Sequence, residues 1–456
     1  MIDFFVKKTL IMKKNRYIIG ILIIIIAAHF SQLRAQETPS QKEERMAWFK
    51  DAKLGIFIHW GIYSVQGIDE SWSFFNDYIS YEDYMKQLDG FTASNYKPDY
   101  WAKLIKESGA KYAVVTTKHH DGVALWDSKY GDLNVVKKTP AKRDLIKPLA
   151  KAIRKQGLKF GVYYSLLDWS YPDYPNFTRT QKRYEKDSLR WERFTEYNFG
   201  QLGEISKLKP DLYWFDGDWE QSAEMWEAPQ IRDLLFKENP NTIINSRLQG
   251  YGDYATPEQG VPIVKPKNNY WELCMTMNDS WGYQANDTDY KSTNQIIRIF
   301  VDCISMGGNL LLDIGPKADG SIPKEQEEIL KGLGRWTEKH KSAIYGTRAG
   351  IPCEHFTGKT ALSKDKTILY LYVDNKPNGP LLIKGLKNKV NRVWVVGNGT
   401  KLSHKVVGKA YWSKVPGLLY IDIPEEVQDP EVTVIAVLLD GEIDLYGSTG
   451  QVIESN

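Results

Sequence analysis

The sequence predicts an α/β protein, a (β/α)8-like barrel of the TIM type followed by a C-terminal all-β sandwich. Three observations carry this expectation. From Met46 to about Tyr345, short runs rich in β-branched and aromatic residues alternate with stretches of helical spacing, the pattern of parallel strands joined by helices. His59, the pair His119 and His120, Tyr163, Asp216 and Arg247 stand at or near the C-terminal ends of five different predicted strands; a closed barrel gathers such ends on one face, whereas an open sheet spreads them along an edge. Beyond about Gly350 the helical period vanishes and short strands are parted by Gly, Asn and Pro turns.

The first strand is expected within "LGIFIHWG" (residues 54–61), ahead of a Tyr/Trp-rich loop and a helix near residues 100–108. "YAVVTTKHH" reads as a nearly continuous buried strand, as in a parallel sheet covered on its outer face. In the next helix Leu145, Leu149, Ala152 and Ile153 share one face, Gly157 is the stop, and Pro148 predicts a bend or a start close to it. Strands follow at "LKFGVYYSLLDW", "DLYWFDG", "TIINSR", "YWELCMT" and "NLLLDIG", separated by helices near residues 182–208, 224–237 and 292–306 and, before "YWELCMT", by one long loop; a last helix runs over residues 324–339. No GxGxxG opens a helix after the first strand, which removes the main sign of a dinucleotide-binding sheet. The expected division is residues 36–348 for the barrel and 349–456 for the sandwich, whose simplest role is packing against the barrel, with sugar binding as the alternative.

Lys plus Arg (60) and Asp plus Glu (57) nearly cancel to +3, which argues against nucleic acid as a partner. The three cysteines are too few and too far apart for a disulfide framework or a zinc knuckle. Lys13, Lys14 and Arg16, an apolar run over residues 17–28 and the small Ala35 read as a secretory signal over residues 1–35. That run is too short to span a bilayer. The expectation is export to the periplasm or beyond, with no stable membrane span after cleavage. The compositional signal is aromatic, with 15 Trp and 27 Tyr, side chains that fill cores and also stack on flat apolar ligand faces.

Three chemistries fit histidines and carboxylates collected at strand ends. A metal site would use His59, His119, His120 and an Asp, but neighbours in a regular strand point to opposite sides, so His119 and His120 share one ion only where the strand has broken up. A purely structural role would bury six polar residues at six separate desolvation costs. The third is glycoside hydrolysis by two carboxyls, one of low and one of raised pKa. Asp216, flanked by Trp214, Phe215 and Gly217, is the candidate nucleophile; the histidines would bond sugar hydroxyls, and Trp60, Trp72 or Trp214 would pack on the ring's apolar face.

The motifs "FIHWGIYS", "KHHDGVALWDSKY", "KRDLI", "FGVYYS", "LYWFDG" and "GNLLLDIGPKADGSIP", in this order over some 280 residues, resemble the α-L-fucosidases of glycoside hydrolase family 29. The resemblance implies an irregular barrel with a C-terminal β-sandwich and a retaining mechanism without cofactor or metal, acting on fucosylated oligosaccharides or glycoconjugates. It implies that His59, His119 and His120 hold fucose hydroxyls, that the Tyr163 hydroxyl lies near the nucleophile Asp216, that Trp214 and Trp126 line the pocket, and that Arg247 is its basic residue. Where many members have Glu-Trp after the first strand, this chain has "DESW": Trp72 matches, Ser71 takes the glutamate's place and Glu70 is one residue early. For the acid/base, Glu258 in "GDYATPEQG" resembles the acid of members whose loop carries "TPE", Glu272 in "NNYWELCM" that of others, and Asp253 shares the first loop; Glu258 is preferred because a loop residue reaches over a bound sugar. The "TPEQ" loop resembles the branch that prefers α-1,3/1,4-linked fucose. The rival functions are a non-catalytic glycan-binding protein of the same fold and a metal-dependent hydrolase.

Overall fold

A computed structural model describes residues 37–447; the expected signal, residues 1–35, lies outside them. The chain divides into two compact units at Met46. The described part of the first opens helix α1 (Pro39–Ala52), where Arg45 donates to both carboxylate oxygens of Glu37. All that follows concerns the second.

Strands β1 (Leu54–Ile58), β2 (Tyr112–Lys118), β3 (Lys159–Ser165), β4 (Leu212–Asp216), β5 (Ile243–Ile244), β6 (Glu272–Thr276) and β7 (Asn309–Ile314) form one parallel sheet in the order β5-β4-β3-β2-β1-β7-β6. Each is buried almost throughout, as their continuous apolar character predicts. Helices α2 (Pro98–Glu107), α3 (Ile146–Lys155), α4 (Ser188–Ser206), α5 (Ala228–Glu238), α6 (Thr293–Ser305) and α7 (Lys324–His340) supply the crossovers. Helix α3 starts two residues before Pro148, in the first turn where a missing N–H costs nothing, and Asp144 accepts from the free amides of Ile146 and Lys147. Helix α6 opens on a reciprocal capping box of Ser292 and Gln295.

The sequence leaves residues 248–270 as a loop, yet part of it closes the sheet. Asn245 bridges to Tyr254, and Ala255 and Glu258 bridge to Trp271 and Cys274, all parallel. Hydrogen bonds donated by the Asp253 amide to the Ile244 carbonyl, by Glu272 to Ala255 and by Cys274 to Pro257 complete the seam between β5 and β6. This segment takes the eighth barrel position, too irregular to carry a period, and Glu258 sits at its C-terminal end as Asp216 does on β4.

The remaining strands make a five-stranded antiparallel sheet, β12-β15-β10-β9-β8, and a three-stranded one, β11-β14-β13. These are β8 (Arg348–Ala349), β9 (Lys359–Leu362), β10 (Ile368–Val373), β11 (Leu381–Ile383), β12 (Val390–Val395), β13 (His404–Val407), β14 (Leu418–Ile421) and β15 (Thr433–Leu439). Alternation divides β10 and β15 between two cores: Leu369, Leu371, Ile435 and Val437 pack inside the sandwich, while Tyr370, Tyr372, Val434 and Ala436 join the barrel core. Trp336 of α7 donates to the Val432 carbonyl at 3.0 Å. The central strands β10 and β15 of the larger sheet are thus buried on both faces, and the sandwich packs on the barrel. Among the described residues no helix is long and apolar enough to cross a membrane.

Candidate active site

The pair His119–His120 is placed by the end of β2 at Lys118. Beyond the strand the two-residue alternation lapses, and the two rings lie on one side with centroids 4.3 Å apart. Gly122 turns the chain there with φ +75°, and a Cβ would come within 2.4 Å of the Asp168 carboxylate. The turn after Asp216 is built alike: Gly217 has φ +77° and a Cβ would stand 2.5 Å from Leu167. Both turns require glycine.

Asp216 and Glu258 share one guanidinium. Arg247 donates through Nη1 to Asp216 Oδ1 at 2.6 Å and through Nη2 to Glu258 Oε1, and its cation lies 4.6 Å from the centre of the Trp214 ring. The Tyr163 hydroxyl donates to Asp216 Oδ2 at 2.9 Å. Burial pushes the Asp216 pKa up, but His120, Arg247 and the Tyr163 hydrogen bond outweigh it and hold the carboxyl below its ordinary value. Glu258 moves the other way: burial raises it, Arg247 opposes and the nearby Asp216 charge adds to the rise. Glu258 is also the more open of the two, its side chain 35% exposed against 14% for Asp216.

Three neutral imidazoles cover the other side. Burial lowers the pKa of His59 to about 3 and of His120 to about 4, and that of His119 well below its ordinary value, so each presents one donor and one acceptor near neutral pH. Both ring nitrogens of His59 are buried with no hydrogen-bond partner among the described residues, a deficit that a ligand hydroxyl would relieve. His119 Nδ1 is 2.7 Å from Ser71 Oγ, and His120 Nδ1 is 2.6 Å from Ser165 Oγ. Ser165 already donates to the Leu167 carbonyl, so it accepts from His120. That leaves His120 Nε2 a bare acceptor 3.6 Å from Asp216 Oδ2. Two facing acceptors want a hydroxyl hydrogen between them.

Aromatic rings wall the pocket. Trp214 stacks on Tyr163 (5.7 Å, 22°) and tilts against Phe57. Trp72 meets the edge of His120 and lies parallel to Trp219 at 6.2 Å. Trp219, 49% exposed, and Trp281, 5.9 Å from His59, were not picked out by sequence; both sit in polar loops without a period. Their signal was a tryptophan soon after a strand's C-terminal end.

Three residues expected in the pocket lie elsewhere. Trp60 is one residue past His59 and so faces outward, packed on Phe91, Tyr96 and Trp101 with its indole N–H on the Lys317 carbonyl. Trp126 is turned to α4, donating to Glu204 at 2.9 Å. Glu272 opens β6 at the N-terminal end of the barrel, fully buried, and accepts from Tyr112 at 2.6 Å and from the Trp214 indole at 3.1 Å. Trp214 thus stands between Glu272 and Arg247. Asp253 is likewise buried and accepts from the Ile244 amide. Of the "DESW" residues, Ser71 takes His119, while Glu70 turns to the Gly282 amide at 2.7 Å and ties this loop to the Trp281 loop.

Burial raises the Glu272 pKa from 4.5 to about 7 against the hydrogen bonds from Tyr112 and Trp214. The unfolded chain sheds this proton near 4.5 while the fold keeps it to about 7. The stability it contributes is therefore complete below 4.5 and lost as pH rises through about 7. In urea unfolding at pH 5 and pH 8, Glu272→Gln is expected to remove a pH-dependent loss of about 2.5 kcal/mol.

Among the described residues no group of three or more His, Cys, Asp or Glu side chains could hold a metal ion. What the pocket can do is set by its carboxyls, one held below its ordinary pKa and one raised, the division of labour that cleaving a glycosidic bond requires. The class that fold and site define is a glycoside hydrolase. A family profile described as Alpha-L-fucosidase matches residues 23–342. An α-L-fucosidase of Branchiostoma floridae is 33% identical over 363 residues, 72% of this chain and 78% of its own length. Among solved structures, α-L-fucosidase isoenzyme 1 from Paenibacillus thiaminolyticus superposes with a TM-score of 0.80 at 34% identity, over 88% of this chain and 99% of that one. A family 29 α-L-fucosidase from Bacteroides thetaiotaomicron, trapped as a covalent intermediate with 2-fluoro-fucosyl fluoride, gives 0.77 at 28% identity, over 87% of this chain and 96% of that one. The chain belongs to the α-L-fucosidases, glycoside hydrolase family 29.

Proposed function

We propose that the protein releases L-fucose from α-linked fucosylated glycans by double displacement, with Asp216 as nucleophile and Glu258 as acid/base. The observation that carries this reading is the shared guanidinium: Arg247 holds both carboxyls in one pocket while their pKa values are pushed apart. Asp216 attacks C1 and the bond to the leaving oxygen breaks as Glu258 gives that oxygen its proton; Glu258, now a carboxylate, takes a proton from water, whose oxygen displaces Asp216 and regenerates both groups. Two inversions retain the configuration. Glu258 at the more open position suits a group that meets the leaving sugar, and Asp216 at the deeper one suits attack from below. The covalent intermediate trapped in the Bacteroides thetaiotaomicron enzyme supports the same route here. His59, His119 and His120 would take the hydroxyls, and Phe57 and Trp214 would face the 6-methyl group.

The preference proposed is α-1,3/1,4-linked fucose at a branching sugar, supported by the resemblance of the "TPEQ" loop and by Trp219, half exposed beside Trp72. Export to the periplasm or beyond is proposed from the basic, apolar and small-residue order of residues 1–35. The test is a panel of aryl glycosides and branched fucosylated oligosaccharides with product configuration followed by NMR. Expected are turnover of α-L-fucosides alone, α-L-fucose as first product, and no loss of rate with a chelator. Binding without turnover would return the protein to the glycan-binding reading, and loss with chelator to the metal-dependent one.

A further inference from the structure

The 47 residues from Asn375 to Ile421 contain nine Lys or Arg and no Asp or Glu, while the sandwich as a whole, residues 349–456, carries twelve of each sign, so the positive charge is local to this stretch. Part of that charge is tied down: Lys376 pairs with Glu425 and Lys387 with Asp444. Lys405, Lys409 and Lys414 are exposed and enter no ion pair among the described residues. They flank a run of exposed apolar side chains on edge strand β13 and on the hairpin that joins it to β14. Val406 is 57% exposed, Tyr411 95% and Trp412 66%, with Val407 and Val415 also open. The two rings meet edge to face at 4.7 Å and 87°, and Gly408 at φ +76° turns the chain just before them.

We propose that this hairpin, residues 408–417, with Val406 and Val407 beside it, docks the enzyme on a bilayer surface carrying anionic lipid headgroups. Tyr and Trp settle at the boundary between headgroups and acyl chains, where an apolar ring and a polar edge are both satisfied. Flanking lysines add attraction to anionic headgroups, and their stems lie along the apolar layer. Aliphatic Val406, Val407 and Val415 extend the apolar face in a way that only a greasy partner rewards. A glycan fits less well: sugar hydroxyls need acceptors as well as donors, and this stretch has no carboxylate. Ligand pockets are concave, and the rings here stand out at a hairpin tip. The binding is peripheral, in keeping with the lack of a spanning helix among the described residues, and would place the barrel at a surface that bears glycoconjugates. It does not depend on the fucosidase reading.

The test is co-sedimentation of the protein, as recovered after export from its host, with vesicles of phosphatidylcholine alone or mixed with phosphatidylglycerol. Binding is expected only to the mixed vesicles and should fall with added salt. K405Q/K409Q/K414Q is expected to weaken it about a hundredfold, and Y411S/W412S about tenfold or more at unchanged charge. Thermal melting and turnover of an aryl fucoside should stay as in the wild type, which shows that the variants fold. The proposal is overturned if the wild type ignores both vesicle types or if Y411S/W412S binds as the wild type does. It is equally overturned if the loop retains dextran sulfate but not vesicles, or if the same substitutions instead abolish a concentration-dependent dimer.

Discussion

Asp216→Ala is expected to lower kcat on an aryl α-L-fucoside by about 10⁴-fold or more, the scale seen when a covalent nucleophile is removed. The protein should remain folded. Arg247 keeps Glu258 as a partner and Trp214 beneath its cation, and Asp216 lies at a strand end lining the pocket instead of within a core layer. A thermal melt beside the kinetic assay separates the two effects. The substitution also opens the face from which the carboxylate attacked, so added azide should restore turnover on an activated fucoside and give a product of inverted configuration. Near-normal hydrolysis by Asp216→Ala would sink the assignment.

Glu258→Ala should cost about 10² to 10⁴-fold on substrates with a poor leaving group and much less in the first step with a good one, because an activated aryl oxide departs without a proton. The covalent sugar then accumulates, and azide, which needs no base, should release it with configuration retained. This stereochemical contrast between the two variants distinguishes nucleophile from acid/base without recourse to rate alone. Rescue at Glu272→Ala and not at Glu258→Ala would transfer the role. The structure supplies the reason to expect otherwise: Glu272 opens β6 at the far end of the barrel, locked between Tyr112 and Trp214.

Most of the barrel is legible in the sequence. Strands β1 to β7 and helices α2 to α7 all overlap segments that the sequence marks, because burial on both faces writes an apolar run into a strand and a stripe into a helix. The eighth position was the exception. The segment through Glu258 contains Pro257 and pairs only at scattered residues, so no alternation survives to announce it. Sidedness was the second gap. Trp60 and Trp126 adjoin pocket motifs in sequence but turn outward, one by the alternation that points His59 inward and the other through its bond to Glu204. Ser71 and Ser165, which fix the ring nitrogens of His119 and His120, carry no sequence signal beyond being small and polar.

The sequence alone determined the alternation of strands and helices, the change to an all-β tail, and the set of strand ends that bear His59, His119, His120, Tyr163, Asp216 and Arg247. These are local properties, set by which residues a pleat or a helical turn can bury. Long-range packing sets the rest: residues 253–259 close the sheet, Arg247 thereby joins Asp216 to Glu258, and Glu272 belongs to the opposite end. Such choices depend on register between strands distant in the chain, and one residue of register decides whether a side chain faces the pocket or the surrounding helices.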